Sequence, residues 1–253
     1  MNPDHEAAIK VENVSKVYRL WDSPAARLSA AAWEASADLC PWSTYLRDRC
    51  HERARSCYRD FKAVESIDLT VARGETLGII GRNGSGKSTL LQIIAGTLQP
   101  TTGYVRVNGR VAALLELGAG FNPDFTGREN IFLYGAVVGM TPAEVEARFE
   151  EIARFADIGA FIEQPMKTYS TGMSVRVAFA VQSILEPDVL IVDEALAVGD
   201  EAFQRKCMSR IEALREKGTA IIFVSHAAQS VIQLCDRALM LDQGRAILLG
   251  DPK

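Results

Sequence analysis

The sequence predicts a single α/β domain, spanning residues 1–253, that is built around a parallel β-sheet. Three short runs without a polar residue support this prediction, because such runs are typical of strands buried on both faces of a parallel sheet. The three runs are residues 77–80, 189–192 and 220–224. Ligands of open α/β sheets bind beyond the carboxyl ends of such strands. We therefore expect the residues that follow each run to lie at one site.

The composition is that of an ordinary globular protein, with 48% hydrophobic and 24% charged residues. A net charge of -4 argues against a surface devoted to nucleic acid. The five cysteines form no Cys-x-x-Cys pair, so we expect reduced thiols in the cytoplasm rather than a disulfide framework or a zinc site. The apolar runs are too short to span a bilayer, so any membrane role is expected to come through a partner.

Residues 81–88 match the phosphate-binding loop pattern G-x-x-x-x-G-K-[ST], after one apolar run and before a helix-like segment. Glycines let backbone N–H groups point at phosphate oxygens, and a helix N-terminus adds positive partial charge. We expect Lys87 to reach the β- and γ-phosphates of ATP and Ser88 to offer its hydroxyl to Mg²⁺. The alternative is a glycine turn with an incidental lysine. The candidate ATP-binding residues of this loop are Gly81, Arg82, Asn83, Gly84, Ser85, Gly86, Lys87, Ser88 and Thr89.

Acidic residues and a histidine follow the other two apolar runs. Asp193 comes directly after the second run and suits holding Mg²⁺, and Glu194 beside it can polarise an attacking water. His226 follows the third run and is a candidate for contact with the γ-phosphate. Glu194, His226 and Lys87 form the predicted catalytic set of an ATP hydrolase. The alternatives are a solvated or capping turn for the carboxylates and a satisfied loop residue for the histidine.

A mostly helical subdomain is predicted over residues 122–187. Thr141 and Glu144 form a helix start, with the threonine as N-cap, a proline in the first turn and the glutamate three residues after the cap. The apolar residues that follow at helical spacing are Val145, Phe149, Ile152 and Ala156. Upstream of this subdomain, the glycine-containing turns at 102–103 and 108–109 predict a short hairpin.

Residues 21–60 form an inserted segment that ends in an amphipathic basic helix. From Leu46 onward, an apolar stripe lies beside a basic stripe at helical spacing. The apolar stripe consists of Leu46, Cys50, Ala54, Cys57 and Phe61, and the basic stripe of Arg47, His51, Arg55 and Arg59. The basic stripe favours contact with lipid headgroups or with the pyrophosphate of a lipid-linked sugar. An ordinary solvated helix is the alternative.

The order of these motifs resembles that of the ABC transporter ATPases across nearly the whole chain. Residues 169–173, Tyr-Ser-Thr-Gly-Met, occupy the position of the family's Leu-Ser-Gly-Gly-Gln signature. The resemblance implies a P-loop NTPase core of the RecA-like type, with an antiparallel β subdomain and an inserted α-helical subdomain. It also implies a homodimer with ATP at the interface, in which Ser170, Thr171, Gly172 and Met173 contact the ATP of the opposite subunit. The hydroxyl of Ser170 and the N–H groups of a helix start suit such an anion. Tyr169, Thr171 and Met173 depart from the family motif, which bears on the turnover rate and on the fit of the closed dimer.

The resemblance also implies roles for two less clearly marked loops. Gly199 and Asp200 lie where the family has its dimer-interface loop, and a plain surface turn is the alternative. Glu116 is the candidate for the family's metal-contacting glutamine, since a carboxylate serves Mg²⁺ at least as well as an amide. A structural charge is the alternative for Glu116.

Tyr18 resembles the aromatic residue that stacks on adenine in the family, a role that needs only an aromatic face. Because the inserted segment intervenes, Tyr58 or Phe61 could take that place. Packing in the core is the further alternative for Tyr18.

Within the family, the sequence resembles the ATPase subunits of bacterial polysaccharide exporters, which move lipid-linked O-antigen, capsule or teichoic acid. Residues 115–121, 169–173 and 192–200 carry this resemblance, together with the inserted segment. It implies ATP hydrolysis that powers polysaccharide export with a transmembrane permease, at the cytoplasmic face of the bacterial inner membrane. The alternatives are a transporter ATPase for another substrate and a soluble ABC ATPase acting on ribosomes or DNA, although no nucleic-acid partner is expected. Some members of the branch carry a further C-terminal carbohydrate-binding domain, which would account for the end at Lys253 without a capping signal.

Overall fold

A computed structural model of the protein describes residues 7–38, 43–113, 120–192, 200–225 and 228–252. The strands are β1 (Ala7–Trp21), β2 (Tyr58–Ala72), β3 (Thr76–Gly81), β4 (Thr102–Val107), β5 (Val111–Ala113), β6 (Val189–Val192), β7 (Ala220–Val224), β8 (Arg237–Asp242) and β9 (Arg245–Gly250). The α-helices are α1 (Pro24–Asp38), α2 (Thr44–Arg55), α3 (Lys87–Ile94), α4 (Gly127–Val137), α5 (Pro142–Ala156), α6 (Thr171–Ile184), α7 (Glu201–Glu216) and α8 (Ala228–Leu234). Two short 3-10 helices, Gly159–Glu163 and Met166–Thr168, lie between α5 and α6. None of the helices in the described ranges combines the length and the apolar character needed to cross a membrane.

The larger sheet has six strands in the order β5-β6-β7-β3-β8-β9. Neighbouring strands run parallel from β5 to β8, and β9 runs antiparallel to β8 at the edge. The three runs predicted to be buried parallel strands are β3, β6 and β7, which lie side by side, so this prediction is confirmed. Both faces of β6 are buried: Val189 and Ile191 join one hydrophobic cluster, and Leu190 and Val192 join another. The shared direction brings the carboxyl ends of β3, β6 and β7 to one edge of the sheet.

The smaller sheet is antiparallel, in the order β2-β1-β4, as the predicted β subdomain requires. α3 contacts strands of both sheets. One cluster joins the two sheets to this helix, and Ile9, Ile67, Leu77 and Leu90 in it have no exposed surface. The helix that follows the phosphate loop is therefore fixed by the main core of the protein.

The hairpin predicted around residues 102–109 is wrong. β4 pairs with β1, where Val107 lies opposite Ile9, whereas β5 pairs with β6, where Val111 lies opposite Val189. The glycine turn near residue 109 leads the chain from the smaller sheet to the larger one. Its local turn signal is real, but the strands on either side of it have different partners.

β1 and β2 continue beyond β4 as a two-stranded ribbon. β4 pairs with β1 only as far as Ser15, but the pairing of β1 with β2 extends to Trp21 opposite Tyr58. The rings of Trp21 and Tyr58 meet edge to face, with centroids 5.1 Å apart. The ribbon ends in α1 and α2, which pack on each other and expose most of their side chains. Both helices lie within the inserted segment 21–60.

The basic helix in this segment is shorter than predicted. α2 ends at Arg55, and Cys57 lies in the turn that follows it. Arg59 and Phe61 belong to β2, where Phe61 lies opposite Tyr18. The residues predicted to lie along one helix are therefore divided among α2, the turn after it and β2.

The three helices α4, α5 and α6 share a hydrophobic cluster of their own. α5 begins as the sequence predicts: Thr141 is the N-cap, and its side chain and that of Glu144 cap each other's backbone N–H groups. The apolar residues predicted for the inner face of α5 are all buried, and they are Val145, Phe149, Ile152 and Ala156. We call α4, α5 and α6 the helical unit.

An aromatic cluster joins the helical unit to α7. Phe155 of α5, Phe179 of α6 and Phe203 of α7 form three ring contacts, with centroids 5.7 to 6.2 Å apart. Phe179 and Phe203 also pack with Leu190 and Val192 on one face of the larger sheet. The helical unit is thereby anchored to the parallel core through α7.

Candidate nucleotide-binding site

The phosphate loop connects β3 to α3, and its path depends on glycine. Gly84 and Gly86 have φ angles of 79° and 102°, in the left-handed region that favours glycine. Gly86 is also the N-cap of α3, and a Cβ at this position would collide with the carbonyl oxygen of Ala63. The backbone can therefore approach β2 this closely only with glycine at residue 86.

The side chains of the loop are arranged as an anion site requires. Lys87 Nζ donates hydrogen bonds to the carbonyl oxygens of Gly81 at 2.7 Å and Arg82 at 3.1 Å, so its ammonium group is held over the loop. Ser85 is 3% exposed, and its Oγ makes no hydrogen bond to any residue that the structure describes. The ammonium group of Lys87 and the N-terminus of α3 together fit a site for an anion.

A cavity of about 470 Å³ lies beside this loop. Its lining residues are Phe61, Ala63, Asn83, Gly84, Gly86, Lys87, Ser88 and Thr89. The volume falls in the usual range of small-molecule sites. The lining joins the N-terminus of α3 and an ammonium group to one aromatic ring, a combination that fits the phosphates and the base of a nucleotide.

Among the three aromatic residues considered for adenine, the geometry favours Phe61. Phe61 lines the cavity and is 49% exposed. Tyr18 lies opposite it in the ribbon but does not line the cavity, and its ring is 5.4 Å from Lys16 Nζ. Tyr58 lies at the far end of the ribbon, against Trp21. The cavity lining thus points to Phe61, which the sequence analysis left as an alternative, and the role of Tyr18 stays a prediction.

The carboxylates and the histidine predicted for catalysis lie outside the described residues, as do Glu116 and Gly199. Asp193 and Glu194 follow the last residue of β6 directly, and His226 comes two residues after the end of β7. Because β6 and β7 run parallel to β3, the chain leaves all three strands at the same edge of the sheet. The phosphate loop follows β3 at that edge.

The loop predicted to contact the opposite subunit forms the start of α6. Ser170 is the N-cap, and its Oγ accepts a hydrogen bond from the N–H of Met173 at 3.2 Å. Ser170 and Thr171 are exposed, and the first turn carries no acidic residue. None of residues 170–173 lines the cavity beside Lys87. The chain thus presents an exposed, positively polarised helix end that is separate from its own phosphate loop.

Asp200 is the N-cap of α7 and also binds α6. Its Oδ1 accepts a hydrogen bond from the N–H of Phe203 at 2.8 Å, and its Oδ2 accepts one from Arg176 at 2.6 Å. The hydrogen bond from Phe203, followed by the charge of Arg176, holds the pKa of Asp200 below its usual range. The bond from Arg176 therefore attaches Asp200, the first described residue after β6, to α6.

The family comparison agrees with this fold. Residues 64–197, which are more than half of the chain, match the family described as ABC transporter. The chain therefore belongs to the ABC transporter family.

Three relatives are similar to this chain over most of its length. ABC transporter protein AbcA of Aeromonas salmonicida is 60% identical over 193 residues, which cover 76% of this chain and 63% of that protein. The O-antigen export system ATP-binding protein RfbB of Myxococcus xanthus is 50% identical over 190 residues, 75% of this chain and 44% of that protein. The teichoic acids export ATP-binding protein TagH of Levilactobacillus brevis is 40% identical over 241 residues, 95% of this chain and 61% of that protein. The chain thus matches less than two thirds of the length of each of these relatives.

A solved structure shows the same fold. It is a dimeric ATP-binding cassette in a post-hydrolysis state bound to ADP and Pi, and it superposes with a TM-score of 0.73. The superposition covers 97% of this chain and 99% of that one at 20% sequence identity. At this identity the likeness establishes the ATP-binding cassette fold and nothing finer.

Proposed function

We propose that this chain binds and hydrolyses ATP as the motor subunit of an ABC exporter for a lipid-linked polysaccharide such as O-antigen. The observation that carries the ATP-binding part is the cavity that joins the phosphate loop to the ring of Phe61. The names of RfbB and TagH, the O-antigen and teichoic acid export proteins to which the chain is similar, support the transported class. The inserted segment with α1 and α2 supports the same branch.

ATP would lie with its phosphates in the loop and its base against Phe61. The backbone N–H groups of residues 83–88 and the N-terminus of α3 supply donors and positive partial charge. Lys87 would leave the carbonyl oxygens of Gly81 and Arg82 for the β- and γ-phosphates, a short movement of a flexible side chain.

Hydrolysis needs a water positioned against the γ-phosphate. Glu194 would accept the proton of this water as it attacks, and His226 would hold a γ-phosphate oxygen. Ser88, which lines the cavity, and Asp193 after β6 form a hydroxyl and carboxylate pair suited to Mg²⁺, and Glu116 could add a further carboxylate. When bound, Mg²⁺ neutralises charge that develops on the phosphate oxygens.

A second copy of the chain would complete the site. The exposed helix start at Ser170 offers N–H donors and a positive dipole end, but it does not line its own cavity, so it is available to the γ-phosphate held by another subunit. Gly199 and Asp200 would lie along this interface. ATP binding would close the dimer because ATP contacts both subunits only in the closed state, and hydrolysis would reopen it.

Export requires a membrane partner, which we propose to be a transmembrane permease at the cytoplasmic face of the bacterial inner membrane. On α2 the side chains of Arg47, His51 and Arg55 are exposed and available to lipid headgroups or to the pyrophosphate of a lipid-linked sugar. Contacts between the ATPase dimer and the permease would transmit the opening and closing movement of the dimer.

The test is purification of the chain with its permease and reconstitution of the complex in vesicles. We expect ATP hydrolysis, loss of hydrolysis in Lys87→Ala, and a bound lipid-linked glycan that mass spectrometry identifies. A complex that hydrolyses ATP but moves another class of substrate would contradict the export assignment. Full hydrolysis by Lys87→Ala would contradict the assignment of the site.

A further inference from the structure

The turn between β8 and β9 packs directly against the phosphate loop. The N–H of Gly244 donates a hydrogen bond to the carbonyl oxygen of Ser85 at 2.9 Å. The N–H of Glu65 in β2 donates to the carbonyl oxygen of Gly244 at 2.8 Å. Two main-chain hydrogen bonds therefore link the end of the loop to β2 through this turn.

The contact is made by backbone approaching backbone. Gln243 and Gly244 have φ angles of 47° and 81°, which form a tight two-residue hairpin turn between the paired residues Asp242 and Arg245. A Cβ on Gly244 would lie 2.9 Å from the carbonyl oxygen of Ala63. This oxygen also excludes a Cβ at residue 86, so the turn, β2 and the loop meet without a side chain between them.

An ion pair fastens the turn to β2. Arg245 Nε donates to Glu65 Oε2 at 2.9 Å, and Lys62 Nζ donates to Glu65 Oε1 at 2.6 Å. Lys62 lies between Phe61 and Ala63, the two residues of β2 that line the cavity. Lys62 and Arg245 hold the pKa of Glu65 below its usual range, so the carboxylate is ionised at neutral pH.

We propose that Glu65 and Arg245 are positioning residues for ATP: their ion pair holds the β8–β9 turn against Ser85 and fixes the end of the phosphate loop before nucleotide binds. The side chain of Ser85 does not anchor the loop within the described structure, because its Oγ has no hydrogen-bond partner there. Lys87 holds the start of the loop through Gly81 and Arg82, and the main-chain bond from Gly244 holds it at Ser85. Donors that are already in place bind a ligand with a smaller ordering cost. This inference rests on the proposed function, since it assumes that ATP occupies the cavity.

The experiment measures ATP affinity, steady-state kinetics and hydrogen exchange on the same protein. Arg245→Met keeps most of the side-chain stem and removes the charge, and Glu65→Gln removes the carboxylate. We expect each to weaken ATP binding about two- to fivefold, the range of a partly exposed ion pair, and to raise KM by the same factor with kcat unchanged. Amides of residues 81–88 should exchange faster without nucleotide, and Arg245→Lys should restore part of the affinity.

A matched control and a double variant separate positioning from general stability. Arg73→Met breaks a surface ion pair with Asp188, 3.2 Å long, at the amino-terminal edge of β6 and away from the loop. It should leave affinity unchanged, and the Glu65→Gln/Arg245→Met double variant should lose no more affinity than one single variant. Unchanged affinity and exchange in Arg245→Met, or an equal loss in Arg73→Met, would overturn the inference while ATP binding by the wild type still stands. Failure of the wild type to bind ATP would overturn the proposed function and this inference together.

Discussion

Arg176 and Asp200 form an ion pair of 2.6 Å that joins the helix beginning at Ser170 to the first turn of α7. The guanidinium group also lies over the ring of Phe203, 4.7 Å from its centroid. Asp200 uses its other oxygen to cap α7, so a single carboxylate serves two helices. The residue assigned to a dimer-interface loop from the sequence thus has structural partners within its own subunit.

Replacing Asp200 should separate these two contacts. Asp200→Asn retains a side chain that can cap α7 but loses the charge that pairs with Arg176, whereas Asp200→Ala loses both. At neutral pH we expect the urea midpoint to fall in the order wild type, Asp200→Asn, Asp200→Ala. Because the pKa of Asp200 is lowered in the folded protein, the charged form stabilises it above the ordinary carboxylate pKa. The advantage over Asp200→Asn should begin to fall as the pH drops below about 4 and should be lost below the lowered pKa of the folded protein, whereas an advantage that does not change with pH would contradict the ion pair as its source.

Glu194→Gln should block hydrolysis while leaving ATP binding in place. Loss of a general base lowers hydrolysis by about a hundredfold or more, and the bound ATP should then hold two subunits together. Size-exclusion chromatography with light scattering in the presence of ATP measures the dimer, and phosphate release measures turnover. The double variant with Lys87→Ala is the control and should remain monomeric. A Glu194→Gln protein that turns over at the wild-type rate would remove Glu194 from the mechanism.

Phe61 and Tyr18 can be compared directly because they lie opposite each other in the ribbon. Phe61→Ala should weaken ATP binding by about tenfold, the value of one aromatic stacking contact with a base. Tyr18→Ala removes a side chain of similar exposure that does not line the cavity, so its affinity should change little. Isothermal titration with ATP measures both. The opposite ranking of the two variants would return the stacking role to Tyr18.

The ribbon allows a clean removal of α1 and α2. Because Trp21 and Tyr58 are paired, residues 22–57 can be replaced by Asn-Gly, which forms a two-residue turn suited to antiparallel strands. We expect the shortened protein to fold and keep its basal ATPase activity, since Phe61 and the phosphate loop are retained, but to lose export in reconstituted vesicles. Export at the wild-type level would exclude a transport role for the two helices.

The sequence predicts most reliably where local signals and tertiary packing agree. The capping residues Thr141 and Glu144 and the buried positions of α5 all follow from local rules, and all are confirmed. The buried strands β3, β6 and β7 are likewise visible as uninterrupted apolar runs. The phosphate loop could be located because its glycines and lysine occur in a fixed pattern between a strand and a helix.

The errors lie where one spacing fits two structures. Phe61 follows Cys57 by four residues, as on one face of a helix, but Cys57 lies in the turn after α2 and Phe61 lies in β2. Only the pairing of Phe61 with Tyr18 decides for the strand. The glycine turn near residue 109 is a true turn, but no local signal shows that the strands beside it pair with residues about 80 to 100 positions away.

The contacts around Gly244 could not be predicted for a similar reason. Glu65 and Arg245 are 180 residues apart in the sequence and meet only because β8 and β9 return to the loop. A glycine in a hairpin turn signals the turn but not the surface on which the turn rests. Such positions become visible only in the folded chain.

The ring contacts among Phe155, Phe179 and Phe203 link the helical unit to α7. We expect the helical unit and α7 to move together, because closely packed side chains resist sliding past one another. A tilt of the unit would instead swing α7 with it and displace Asp200. Because Arg176 of α6 pairs with Asp200, the start of α7 would then move together with the exposed helix end at Ser170.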